Sequence, residues 1–372
     1  MNEMHALRQL WRELSETGEE FVLATIVAVE GSGYRKAGAR MLVARDGRRA
    51  GTISGGCLEA EVAKKAFWHT EDGPVVRRYS THAEDGDVPF GMGCGGVVQV
   101  MLERRVTAAP LLEAMEQAYA QRLSLAVATR VSGERVGERS WRVDDAGAGS
   151  ESAGSEPTGS ASDLLRARAS QAQEQRRSTN ADGVFAEWMA ARTGLLIVGA
   201  GNDTRPLARL AHELGWEVTV MDGRSHLATR ERFPEADAVM TLSTEALRGL
   251  RLRTTDVAAL MSHSLEQDRM ALRELVGREL AYLGVLGPRA RTAEMAMELA
   301  EEAGRGEAEA QRRAAEWMAR LHAPMGLELG GDGAEAVALS VLAEMQRTLQ
   351  GGSGQPLREL RGGVAALAVA GA

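Results

Sequence analysis

The sequence predicts an α/β protein in two parts: an N-terminal α+β domain with a mixed or antiparallel sheet, and a C-terminal domain with a doubly wound parallel sheet. Three observations carry this reading. From residue 194 to residue 287, short apolar runs alternate with helical stretches, the pattern of parallel strands joined by crossover helices. Before residue 143 the strands follow one another more closely, and Asp46-Gly47 between two of them is a strong hairpin signal. Between the two parts, residues 144–183 contain no aromatic residue, no Val and no Ile. Such a segment buries too little apolar surface to offset its ordering entropy, so it is expected to be a flexible linker with at most a short helix near 164–175. The expected boundaries are 1–143, linker 144–183, 184–350 and a tail over 351–372.

In order, residues 3–16 read as an amphipathic helix and 21–31 as a strand rich in β-branched residues. The stretch 39–53 holds the two hairpin strands, and 57–70 reads as a helix. Strands are expected over 74–80 and 96–105, a helix near 108–121, and two more strands in LSLAVATRV and RSWRV. In the second half, TGLLIVGAG, WEVTVMDG, AVMTL, DVAALMSHS and AYLGVLG are strands, with helices in PLARLAHELG and over 266–278. A closing helix over 334–349 places Ala338, Val341, Leu342, Met345 and Leu349 on one face, a core stripe.

Composition narrows the function. With 44% apolar and 26% charged residues, the 372-residue chain has an ordinary globular make-up, and its length favours two cores over one. A net charge of −8 gives no footprint for a nucleic-acid backbone. No run of 18 apolar residues occurs, and the N-terminus lacks the basic start and apolar centre of a secretory leader, so a cytoplasmic protein with no membrane partner is expected. In that compartment the two cysteines, Cys57 and Cys94, stay reduced. No C-x-x-C or H-x₃-H spacing accompanies them, so a zinc site is not expected.

Both thiols lie in glycine-rich stretches, Ser54-Gly55-Gly56-Cys57 and Gly91-Met92-Gly93-Cys94-Gly95-Gly96. A thiol at a helix start gains from unpaired N–H groups and the helix dipole, which favour anions and the thiolate. Glycines around Cys94 are suited to a concave nest of N–H groups. An isolated Gly-Cys is more often a tight turn with a small buried side chain, but two such loops holding the only thiols favour a functional pair. The loop 31–40 adds Arg35, Lys36 and Arg40 among glycines, either a phosphate- or pterin-receiving site or a solvated basic loop.

In the second half, Gly199-Ala200-Gly201-Asn202-Asp203-Thr204 follows a strand and precedes a helix, as in Rossmann-like dinucleotide sites. Gly199 and Gly201 would admit a pyrophosphate. Asp222, 23 residues after Gly199, stands where a ribose-binding carboxylate belongs and favours NAD over NADP, with Arg224 close behind. Thr204 replaces the third glycine, either reshaping the site or capping a helix with Pro206 in its first turn. His263 and Asp268 follow a strand at the end where such sheets bind ligands, although a lone histidine is more often structural.

The ordered set GSGYRKAGARMLVARDGRRAGTISGGCLEAEV, GMGCGG, LLIVGAGNDTRPLARLAHELGWEVTVMDGR, SHSLEQD, YLGVLGPRAR and APMGLELGGDGAEAVALSVLAEM resembles the XdhC/CoxI family. Its members are accessory proteins of molybdenum hydroxylases such as xanthine dehydrogenase and carbon monoxide dehydrogenase. The resemblance covers about residues 10–140 and 190–348, with Tyr34, Pro288 and Gly333-Ala334 departing from the family pattern. It implies a non-catalytic maturation factor that binds the molybdenum cofactor, as molybdopterin or its dinucleotide form, supports its sulfuration and delivers it to an apo-hydroxylase. By motif, Cys57 and Cys94 would be the cofactor-binding thiols, meeting metal only through that cofactor. Gly55, Gly56, Gly93, Gly95, Glu59, Arg35 and Arg40 would shape the site. A cysteine-desulfurase-type sulfur donor and a homodimer are further implied partners. An NAD-dependent oxidoreductase and a protein-interaction scaffold are the competing expectations.

Overall fold

The computed structural model describes residues 3–31, 35–80, 96–144, 163–304 and 306–360. Two compact units divide at Arg192/Thr193.

The first unit begins with α1 (Glu3–Thr17), whose Leu7, Leu10, Trp11 and Leu14 recur at helical spacing and are buried. Then follow β1 (Phe21–Gly31), β2 (Arg40–Ala44), β3 (Arg49–Gly51), α2 (Cys57–His69), β4 (Val75–Ser80), β5 (Gly96–Arg104) and α3 (Arg105–Gln121). The remaining elements are β6 (Ser124–Arg130), β7 (Arg139–Asp144), α4 (Asp163–Gln175), β8 (Thr179–Ala181) and β9 (Val184–Met189). Five strands form a sheet in the order β3-β2-β1-β5-β4, and four form a second in the order β7-β6-β9-β8. Every pairing in both is antiparallel. The strict alternation of β1 explains the layers. Phe21 and Leu23 pack with α1 and α3, whereas Val22, Ala24 and Ile26 pack with Leu58, Val62 and Ala66 of α2. A bulge between Ile26 and Ala28 shifts the register toward the C-terminal end of the strand.

The segment expected to be a linker contains the short helix expected near 164–175, but that helix is packed against a sheet. The segment's second half forms α4 and β8, and Leu165, Ala169 and Ala172 of α4 pack on Ala126, Ala128 and Ala186 of the second sheet. Small side chains let helix and sheet approach closely, so burial here does not need the aromatic and β-branched residues the segment lacks. Residues 145–162 lie outside the described residues. Residues 184–189, which the expected boundary puts in the second domain and for which no strand was expected, form β9 and complete the second sheet of the first unit.

Two buried ion pairs join the sheets of this unit. Arg40 of β2 forms a two-pronged pair with Glu187 of β9, and Arg139 of β7 pairs with Glu103 of β5. All four residues are at most 9% exposed. Burial opposes the Arg40 charge, and Glu187 more than offsets that cost, so the guanidinium pKa is raised.

In the second unit the elements are β10 (Gly194–Val198), α5 (Thr204–Glu213), β11 (Glu217–Asp222), β12 (Ala238–Thr241), α6 (Thr244–Gly249) and β13 (Val257–Leu260). They are followed by α7 (Leu265–Leu275), β14 (Tyr282–Val285), α8 (Arg289–Glu302), α9 (Glu307–Arg320) and α10 (Ala334–Gln350). All pairings are parallel, in the order β12-β11-β10-β13-β14. Leu195 and Ile197 face α5 and α10, while Leu196 and Val198 face α7 and α8. The chain reverses its winding between β10 and β13, which opens a crevice at their C-terminal ends. Ala338, Val341, Leu342 and Met345 of α10 are buried in this core as expected.

Removing one partner of the Arg40–Glu187 pair leaves an uncompensated buried charge. Glu187→Ala is expected to lower unfolding free energy by about 3–5 kcal/mol in urea titration, and the double variant Arg40→Met/Glu187→Leu to recover most of that loss.

Candidate functional site

In the first unit, β3 ends at Gly51 and the chain turns through Ser54-Gly55-Gly56 into α2, which starts at Cys57. Gly56 is the N-cap at φ 122°, a backbone conformation that favours glycine. Among the described residues, a Cβ there would meet nothing within 4 Å, so backbone conformation demands the glycine, and Gly55 and Gly56 are exposed.

Glu59, in the first turn of α2, organises this bend. Its carboxylate accepts hydrogen bonds from Ile53 N (3.1 Å), Ser54 N (2.6 Å), Gly56 N (3.0 Å) and the Ser54 hydroxyl. The Ser54 hydroxyl oxygen also accepts from Leu58 N at 3.3 Å, the help an N-cap side chain would give and glycine cannot. Burial raises the Glu59 pKa, but these donors outweigh it and hold the carboxyl below its ordinary value. Glu59 therefore shapes the turn by filling part of the N–H cradle with an internal anion. Gly93, Cys94, Gly95 and the Cys57 side chain lie outside the described residues.

The two arginines expected to receive ligand are engaged elsewhere. Arg40 is sealed in its pair with Glu187 and donates to Gly38 O, which corrects its expected role from ligand contact to structural tie. Arg35 donates to Glu3 at 2.7 Å, and Glu3 also accepts from Thr52 N and its hydroxyl.

In the second unit, Gly199 adopts φ 132°, and a Cβ there would stand 2.4 Å from Met261 O, so glycine lets β10 and β13 approach at the crevice. Gly201 leaves room for the Asp203 carboxylate, which would lie 2.4 Å from a Cβ at that position. Thr204 is the first residue of α5, is fully buried and donates to Gly201 O at 2.8 Å. Asp203, not Thr204, is the N-cap.

Asp222 does not present its carboxylate to a ribose. One oxygen accepts from Arg224 N (2.8 Å) and Nε (2.9 Å), and the other from Arg224 Nη2 (2.7 Å) and Ala200 N (2.7 Å). All four lone-pair directions are used, and the residue is 0% exposed. Burial raises its pKa, but the Arg224 and Ala200 donors win and lower it. Asp268 is likewise buried, accepting from Ser262 N and Oγ and from Arg291, so it braces the β13–α7 turn and is not offered to a ligand.

His263, at φ 55°, reaches the crevice with Nε2 at 2.7 Å from Asp203 Oδ2, and its side chain is 60% exposed. This pairing was missed in the sequence, though a carboxylate inside the glycine loop was its signal. Its charge sits at the α5 N-terminus, where a pyrophosphate would bind. Arg232 closes the loop's other side through Ala200 O and Asn202. Among the described residues, no cluster of three or more His, Cys, Asp and Glu could hold a metal ion, and no helix is long and apolar enough to cross a membrane.

Glu59→Gln should lower unfolding free energy at pH 7 by about 1–3 kcal/mol. Because the folded-state carboxyl titrates below its ordinary value of 4.5, that difference is full above pH 4.5 and fades as pH falls further. In calorimetric titration, NAD should bind more weakly than about 1 mM. Asp203→Ser, which removes the competing charge, should tighten it roughly tenfold.

Comparison with known proteins agrees with both units. Residues 14–80 match the model of the XdhC and CoxI family, and residues 195–345 match that of the XdhC Rossmann domain. A probable xanthine dehydrogenase subunit of Bacillus subtilis (strain 168) is 31% identical over 341 residues, spanning 90% of this chain and 95% of the relative. A crystal structure described as a xanthine dehydrogenase from Bacillus halodurans superposes with a TM-score of 0.70 at 26% identity, covering 97% of this chain and 98% of that one. The molybdenum cofactor insertion chaperone PaoD of Escherichia coli (strain K12) is 32% identical over 110 residues, which is 27% of this chain and 31% of that protein. With a relative this similar along nearly its whole length, and with the glycine turn at α2 and the parallel-sheet unit each inside a matched region, the chain belongs to the XdhC/CoxI family.

Proposed function

We propose that this protein is a maturation chaperone that holds the molybdenum cofactor, supports its sulfuration and delivers it to an apo molybdenum hydroxylase of the xanthine dehydrogenase type. The observation that carries this reading is the start of α2. Cys57 is its first residue, set behind an exposed turn whose geometry Gly56 and Glu59 fix, inside the region matched by the XdhC and CoxI family. A thiol at a helix N-terminus is biased toward thiolate, and thiolates suit soft metal–sulfur centres. The likeness to an insertion chaperone, although it spans 31% of that protein, supports the same role.

The donor set fits the group chemically: a thiol for the metal–dithiolene part and an exposed glycine turn for close approach. Cys57 and Cys94 would hold the cofactor, with Gly55, Gly56, Gly93 and Gly95 allowing that approach. When bound, the cofactor supplies a molybdenum centre able to exchange an oxo for a sulfido ligand. The chain's own contribution is to fix the turn through Glu59. In this reading the protein works in the cytoplasm as a homodimer and receives sulfur from a cysteine-desulfurase-type donor. An NAD-dependent oxidoreductase gains no support from the second unit, where Asp222 is fully occupied and Asp203 places negative charge in the loop.

Protein purified without oxygen from cells making the cofactor is expected to release oxidised, fluorescent pterin in near-stoichiometric amount. Cys57→Ala and Cys94→Ala should each carry much less. Wild-type pterin content in both variants would remove the thiols from the site.

A further inference from the structure

A cleft of about 680 Å³ opens in the first unit where the two sheets meet, well within the size range of small-molecule sites. Its lining comes from the end of β1, the loop before β2, Gln99 of β5 and the β8–β9 edge. The floor is apolar: Val27, Val131 and Phe185 are buried together, with Ala37 packed against them. The rim is polar; no described lining residue is itself a carboxylate, and Glu30 and Glu3 approach it only through Gln99 and Arg35.

The rim groups divide by what they already do. Arg35 is neutralised by Glu3. Lys36 is exposed, and its ammonium has no partner among the described residues. Asn180 donates its amide to Val27 O at 2.8 Å, bridging the sheets, and its side-chain oxygen has no partner among the described residues. Gln99 donates to Glu30 at 3.3 Å and keeps its own oxygen as an acceptor. An apolar floor with amide and hydroxyl groups around it suits a planar heterocycle bearing N–H donors. One unpaired cation at the rim suits a phosphate.

Resting on the cofactor-chaperone reading, we propose that this cleft binds a phosphorylated planar heterocycle, with Lys36 pairing the phosphate and Gln99 and Asn180 meeting the ring edge. Two sources share that chemistry: the phosphate-bearing pterin of the molybdenum cofactor and a free nucleoside monophosphate. The pterin is the expected occupant, because the end of β1 and the Lys36 loop that line the cleft lie within the region matched by the XdhC and CoxI family.

The test compares wild type, Lys36→Glu and Lys36→Arg as full-length proteins purified without oxygen from cells making the cofactor. Lys36 is exposed, so all three should unfold at the same midpoint. Bound pterin is read by fluorescence after oxidation, and guanosine and cytidine monophosphate are titrated calorimetrically against pterin-free protein. Pterin retained by wild type and Lys36→Arg, and lost at least tenfold from Lys36→Glu, supports the proposal. Absence of pterin from wild type, with a nucleotide binding that Lys36→Glu abolishes and Lys36→Arg keeps, retains the cleft but rejects the cofactor reading. Equal pterin in wild type and Lys36→Glu overturns the cleft and leaves the chaperone standing. Binding of neither pterin nor nucleotide by wild type overturns both.

Discussion

The first unit depends on a charge that cannot be left alone. Arg40 enters the interior on β2, and Glu187 on β9 is the partner that makes its burial tolerable. This pair ties the five-stranded sheet to the four-stranded one. Its reach is set by Gly38, at φ 96°, where a Cβ would stand 2.4 Å from the Glu187 carboxylate. The same few residues carry Lys36 and Ala37 to the cleft. A fold-stabilising contact and a ligand-facing loop thus share one short stretch of chain, and the interior pair holds the loop in place.

Inward satisfaction of charge recurs through the molecule. Glu59 fills the N–H groups of its own turn, Asp222 is saturated by Arg224 and Ala200, and Asp268 braces Ser262 and Arg291. In sequence, Asp222 and Asp268 read as ligand contacts from residue type and position, whereas Glu59 is implied by the family resemblance to shape its surroundings. Each proves to be support, because a buried carboxylate must find donors and the nearest ones are local. What a carboxylate does depends on whether its lone pairs are already used, and spacing alone does not report that.

The parallel-sheet unit was legible because its signals are local: continuous apolar strands, a glycine turn with a close backbone approach at Gly199, and helices at regular intervals. The antiparallel sheet was legible for the same reason, from the β-branched run of β1 and the Asp46-Gly47 turn. The β8–β9 edge was hidden. Its covering helix uses Ala169 and Ala172 on Ala126 and Ala128, a close-packed contact whose sequence resembles a polar, low-complexity segment. The cleft was hidden for a related reason, since Lys36, Gln99 and Asn180 lie far apart in sequence and only sheet pairing brings them together.

In this account the chain is a holder of the molybdenum cofactor: a thiol at a helix start, a turn fixed by an internal carboxylate, and a cleft with an apolar floor and Lys36 at its rim in the same unit. Its central claim is transfer. Protein loaded anaerobically with molybdenum cofactor, mixed with cofactor-free xanthine dehydrogenase-type hydroxylase, provides the direct measurement. The account predicts that hydroxylase activity rises in step with the loss of pterin from this chain. Activation at the same rate and to the same extent by an equal amount of free cofactor, with the chain omitted, would contradict it.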